Sequence, residues 1–246
     1  MEAVEIFGEY VGWLRVHVPL AYENLAPGAN SDELDGLEAY LGHVLPAEVR
    51  AVWGIHNGQR VTDTSSHISY AVPCIPSLSF LSTEKIAQCW DEWAELLADP
   101  DFESMQDIGS VMLGAEGRIK PQYASRGWIP LWSDTTRADY IGLDLDPDVG
   151  GTVGQIINFG RDEEQHYLCA VDFTELLRIL LAEVRSGAWP ASTMTIGDRE
   201  LPWFGDPEKH LFNSLYRRSA QQARRARLVG RLRAVRRWFG GGVGEP

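Results

Sequence analysis

From Trp128 to Glu175 the spacing of apolar and polar residues changes repeatedly, and each change predicts an element. In W-I-P-L-W, Trp128 and Trp132 flank Pro130 on one face of a predicted strand. Ile141, Leu143 and Leu145 alternate with Gly142, Asp144 and Asp146, the period-two signature of a strand with one buried and one solvated face. Asp146-Pro147-Asp148 and Gly150-Gly151 then form a turn cluster. Residues 154–159 are apolar almost throughout, as in a central strand. After a polar break, residues 167–171 predict a third strand. Asp172 followed three residues later by Glu175 is a capping box opening a helix over 173–186, which Gly187 stops.

Upstream, helical spacing dominates. Val4, Phe7, Val11 and Leu14 share a face over 2–15, and Pro19 ends that helix. Ser31 caps a helix carrying Leu34, Leu37, Glu38 and Leu41, closed by Gly42. Pro46 stands at a first helical position, and Val49, Val52, Trp53 and His56 follow on one face up to Asn57-Gly58, read as a chain reversal. Residues 65–80 have strand composition broken by Pro73 and Pro76, which predicts an irregular or edge strand. Thr83 caps a helix over 84–98 that Asp99-Pro100 terminates. Residues 118–122 predict a short strand, and Gly197-Asp198 the turn of a small hairpin between 194–196 and 201–203. Asn57, Gly58, Pro130, Gly151 and Gly154 are structural positions in this reading.

Composition adds polarity to the picture. Hydrophobic residues make up 44% of the 246, enough for a sizeable core. The net charge of −13 is unevenly spread: residues 1–208 carry 12 basic and 34 acidic side chains, a balance of −22, whereas residues 209–246 carry 10 and one, a balance of +9. The expected division is therefore a domain over 1–208 and an Arg-rich amphipathic helix with a Gly-rich end over 209–246. Cys74, Cys89 and Cys169 have no metal-type spacing and are expected to be buried thiols. An acidic start and the lack of a long apolar run predict a cytoplasmic protein, peripheral to the inner membrane face if the tail binds there.

The run L-E-A-Y-L-G-H-V-L-P-A-E-V-R-A-V-W-G-I-H-N-G, followed by W-I-P-L, G-L-D-L-D-P, G-Q-I-I-N-F and V-D-F-T-E-L-L, resembles the SUKH superfamily over roughly residues 30–187. Its founding members are fungal regulators of cell-wall glucan synthesis, and its bacterial members include toxin-neutralising immunity proteins. The resemblance implies an α+β fold, with helices at the start and end of a mixed, largely antiparallel sheet. It implies no enzymatic activity, and no cofactor is expected. The segment 99–127 is longer than a minimal family domain implies, and the basic tail falls outside the family pattern.

Candidate chemistry is sparse. An EF-hand reading of Asp144, Asp146 and Asp148 fails at Val149 and Gln155, where Gly and Glu are required, so no metal is expected. A metal-assisted hydrolase on these carboxylates is the remaining enzymatic alternative. His56 lacks a nucleophile motif and reads as a packed helix-end histidine. The expected function is protein binding, with Trp128, Asp144, Asp146, Asp148, Asp162, Glu163 and Glu164 forming an acidic surface for a basic toxin domain. The alternative is a cell-wall or envelope regulator recruited by its tail. For that tail, with Arg224, Arg227, Arg231, Trp238 and Phe239, three partners stay open: an anionic membrane, nucleic acid (the least favoured), or an acidic body of this chain.

Overall fold

The capping and periodicity signals become elements in a computed structural model, which describes residues 2–60, 71–98, 106, 109–163, 165–207 and 209–240, with the side chains of 96, 226 and 228–240 left out. Helices α1 (Glu2–His17), α2 (Pro19–Asn24), α3 (Ser31–Leu41) and α4 (Ala47–Trp53) come first. Pro19 does more than end α1: it occupies the first turn of α2, where a missing amide costs nothing. The cap of α3 is Asn30 rather than Ser31, with a reciprocal capping box to Glu33. Pro46 precedes α4 as its cap, and α4 ends at Trp53. His56, beyond that end, packs at 6.1 Å against Phe7, and its Nδ1 donates to the Ala26 carbonyl at 2.7 Å.

Strand β1 (Ser79–Phe80) is the described remnant of the predicted 65–80 strand, whose residues 65–70 lie outside the described chain. Helix α5 (Thr83–Leu96) is capped by Ser82, one residue before the predicted cap, and Asp99-Pro100 is not described. Strands β2 (Ser110–Val111), β3 (Trp128–Ser133), β4 (Asp139–Asp144), β5 (Gln155–Gly160), β6 (Gln165–His166) and β7 (Leu168–Ala170) precede α6 (Phe173–Arg185). The predicted 118–122 strand reduces to one bridge between Glu116 and Ile119. Hairpin β8 (Ala191–Ile196) and β9 (Arg199–Phe204) turns at Gly197-Asp198 as expected, and α7 (Leu211–Gly240) follows.

The fold is α+β. Its main sheet has the order β1-β3-β4-β5-β7 with every pairing antiparallel, while β2 and β6 form a separate parallel pair. Both faces of the sheet are covered. On one, Trp93 of α5 lies 6.3 Å from Tyr140 and 6.2 Å from Phe159. Deep in the helical layer, Trp53 meets Phe80 at 4.7 Å and Phe173 at 5.8 Å. Pro130, which donates nothing to the ladder, sits where the β3–β4 register shifts. The first and late helices close on each other through Arg178–Glu2 and Arg185–Glu9 ion pairs, each 2.6 Å.

Packing runs across the expected division at residue 208. Leu211, Phe212 and Leu215 of α7 are buried in the common core, and the Tyr167 hydroxyl donates to the Phe212 carbonyl at 3.1 Å. Charge changes sign at 208, but packing continues for two more helical turns.

Candidate partner-binding surface

Antiparallel register divides the predicted acidic surface in two. Asp144 pairs with Gln155 at one end of β4 and β5, and Asp139 pairs with Gly160 at the other. Five residue steps separate the ends, about 17 Å.

At the first end, two sequence-predicted contact residues are interior. Asp144 is fully buried and Trp128 nearly so, packed against Phe159 at 5.6 Å and His166 at 4.8 Å. Alternation misplaces Asp144 because β4 is covered on both faces, so its polar positions are not solvated; Trp128, expected as an aromatic anchor, is core of β3. Asp144 instead accepts hydrogen bonds from the Asp146 amide at 3.1 Å and from Gln155 Nε2 at 2.8 Å. Gln155 also donates to the Arg118 carbonyl at 2.8 Å, so this buried pair ties loop 145–154 to loop 116–120. Burial raises the Asp144 carboxyl to about 6, against the lowering effect of those hydrogen bonds. Asp146 is exposed and paired with Lys120 at 2.6 Å, and half-buried Asp148 accepts from the Val149 amide at 2.7 Å. Gly151 is required here, since a Cβ would lie 2.2 Å from the Arg118 carbonyl oxygen. The same loop exposes Val149 and Val153, two apolar residues that the acidic reading passed over.

The second end is the more chemically distinctive. Asp162 is exposed, Glu163 half-buried, and Glu164 lies outside the described residues. Two carboxylates that were not predicted join them: Asp139, whose Oδ1 accepts from the Asp162 amide at 3.1 Å, and buried Asp134, whose Oδ1 accepts from the amides of Ala138 and Asp139 at 2.8 and 3.2 Å. Asn158 organises the corner. Its Nδ2 donates to Glu163 at 2.7 Å and to the Gln165 carbonyl at 3.1 Å, while its Oδ1 accepts from the Tyr167 amide at 2.6 Å. Its signal was present in I-I-N-F: one amide inside an apolar strand is buried and needs partners. Burial, and then the charge of Asp139, raise Glu163 to about 7; burial, with Asp134 and Asp162 adding, raises Asp139 to about 6. Arg161 is the one described cation beside this corner, 3.6 Å from Asp162, so the three carboxyls carry more acidic groups than nearby positive charge and favour a further cation brought to them. Among the described residues, no group of three or more His, Cys, Asp or Glu side chains could hold a metal ion.

The remaining predicted positions are structural or lie in the tail. Asn57 Oδ1 accepts from the Thr83 amide at 2.8 Å, and Gly58, at φ +67°, leaves no room for a Cβ beside the Ser82 amide. Gly154 has φ +87°. Arg224 and Arg227 are exposed on α7; the side chains of Arg231, Trp238 and Phe239 lie outside the described set. The three cysteines are free and buried.

The model of the SMI1 / KNR4 family (SUKH-1) matches residues 28–179, from the turn before α3 into α6. The chain belongs to the SMI1 / KNR4 family. That match takes in the main sheet and both of its acidic ends. SMI1 / KNR4 relatives include a cell wall biosynthesis/cell cycle regulator of Schizosaccharomyces pombe, 29% identical over 72% of this chain and 35% of its own length. A glucan synthesis regulatory protein of Neurospora crassa is 25% identical over 72% of this chain and 37% of its own, and a cell wall assembly regulator of Saccharomyces cerevisiae is 23% identical over 72% and 39%. This chain therefore spans rather more than a third of the length of those relatives. No helix among the described residues is long and apolar enough to cross a membrane.

Proposed function

We propose that this SMI1 / KNR4 domain is a non-enzymatic regulatory module of cell-wall assembly that works by binding a basic protein partner. The observation that carries the reading is the family match across the whole sheet, with relatives named as cell-wall and glucan-synthesis regulators. The acidic corner of Asp139, Asp162 and Glu163 is the contact. Its partner supplies Lys or Arg side chains that lower the carboxyl pKa values, so association releases protons. Long-range attraction to the acidic body speeds the encounter, and neutralisation of the corner holds the complex.

A second reading, toxin neutralisation by the same surface, is favoured by the −22 balance of residues 1–208 and differs only in the partner's identity. One experiment separates them: capture from the native host by the tagged full chain, at low and high salt, beside Asp139→Asn/Asp162→Asn/Glu163→Gln. Envelope-synthesis proteins lost with the triple variant support the regulator, and a small basic toxin lost in the same way supports neutralisation. A partner retained equally by both chains removes the corner from the interface.

A further inference from the structure

Helix α7 carries two apolar stripes on different faces. Leu211, Phe212, Leu215 and Ser219 form the stripe buried against the body. Continued at 3.6 residues per turn, that face passes through Ala226 to Arg233 and Arg237, where it is no longer apolar. The apolar positions of the second half, Leu228, Leu232, Val235 and Phe239, fall on a face roughly 140° away. In the first half this other face holds Arg217, Gln221, Arg224 and Arg225, all exposed. The helix packs inward at its start, and the sequence moves its apolar positions to another face beyond Arg227.

Alongside the second stripe runs a groove between α7 and the chain after β2. Leu113 and Tyr216, 49% and 44% exposed, face it with Ala220 and Ala223, and Arg224 and Arg227 line it. The close seat of α7 on this loop is fixed by Gly114, at φ +103°, where a Cβ would lie 2.5 Å from Ala223 Cβ. Helical spacing carries the groove's line on to Arg231, Ala234 and Trp238. By helical spacing, the groove's line and the stripe fall on one broad side of α7, about 35 Å from Tyr216 to Phe239, a ribbon of sequence positions in which arginines lie among apolar residues on the basic part of an otherwise acidic chain.

We propose that this ribbon lies on an anionic lipid surface, with α7 parallel to the membrane plane. Charge complementarity selects an anionic partner, and the apolar positions select lipid over nucleic acid, whose phosphates need only the arginines. A second copy docked stripe to stripe would bring the two arginine sets together. Lying on the surface, rather than crossing it, follows because no helix among the described residues is long and apolar enough to cross a membrane.

The test uses the full chain, sedimented with phosphatidylcholine vesicles with and without phosphatidylglycerol. The expected result is binding to the anionic vesicles alone, weakened by salt. Leu232→Asp/Val235→Asp should lower it about tenfold or more, and Leu113→Asp should also lower it, with melting temperatures unchanged. Equal binding to neutral vesicles, no binding, or full binding by the double variant would each overturn the proposal. So would heparin binding that the double variant keeps, which assigns the arginines to nucleic acid, or self-association that it abolishes, which makes the ribbon an interface between copies. Glu163→Gln should leave vesicle binding intact, so failure here is distinct from failure of the corner as a protein-binding site.

Discussion

Single side chains decide which acidic residues face a partner. Asp144 belongs to the interior: Asp144→Ala would leave the Asp146 amide without its acceptor and should cost about 2–3 kcal/mol in a denaturant titration, with Asp144→Asn costing less. Glu163 behaves oppositely. Its carboxyl is raised to about 7 in the folded state, so the neutral form is the better folded partner; its stabilisation is complete below the unfolded value near 4.3 and is lost as pH rises through about 7. Glu163→Gln should therefore flatten the fall in stability between about pH 5 and pH 8 and raise stability by about 1 kcal/mol at the upper end, after allowing for solvent screening. A basic partner should bind wild type more tightly across that same rise in pH, with proton release measurable by calorimetry in buffers of different ionisation enthalpy. The sequence spacing of Asp144 and Asp146 carried no sign of this division, because alternation reports faces and not what covers them.

Elements were far more legible than their pairings. The Asp172–Glu175 signal, the Gly42 and Gly187 stops and the Gly197-Asp198 turn all mark real boundaries, since each rests on local hydrogen bonds or a positive φ. Pairings that depend on distant chain were silent: two-residue β1 joins β3, and β2 joins β6 in parallel. Buried Gln59 secures the first of these, its Oε1 accepting from the amides of Cys74 and Phe80 at 2.9 and 3.0 Å. Glycine substitutions read the same distinction. Gly142→Ala would put a Cβ 2.1 Å from the Ile129 carbonyl oxygen and force β3 from β4, so a loss of about 3 kcal/mol or more is expected in thermal melts. Gly36→Ala on α3 meets nothing within 4 Å and should instead stabilise by about 0.5–1 kcal/mol.

At the scale of the molecule, charge and packing place different boundaries on one helix. A chain ending at 208 lacks Leu211, Phe212 and Leu215 and should aggregate or melt far lower, whereas one ending at Arg227 should melt like the full chain while losing vesicle binding. Composition showed the change of sign at 208 and could not show the core running past it, since three buried residues weigh little against ten basic ones. The contacts between α1 and α6 have a consequence for synthesis. Glu2 and Arg178 stand 176 residues apart, and the helices they hold bury their apolar faces on each other. At roughly 5–20 residues per second, α1 emerges from the ribosome with its apolar face open for about 10–35 seconds before α6 exists. Earlier segments cover part of it, Phe7 meeting His56 and Phe80, but the side that α6 takes stays open until α6 has been made.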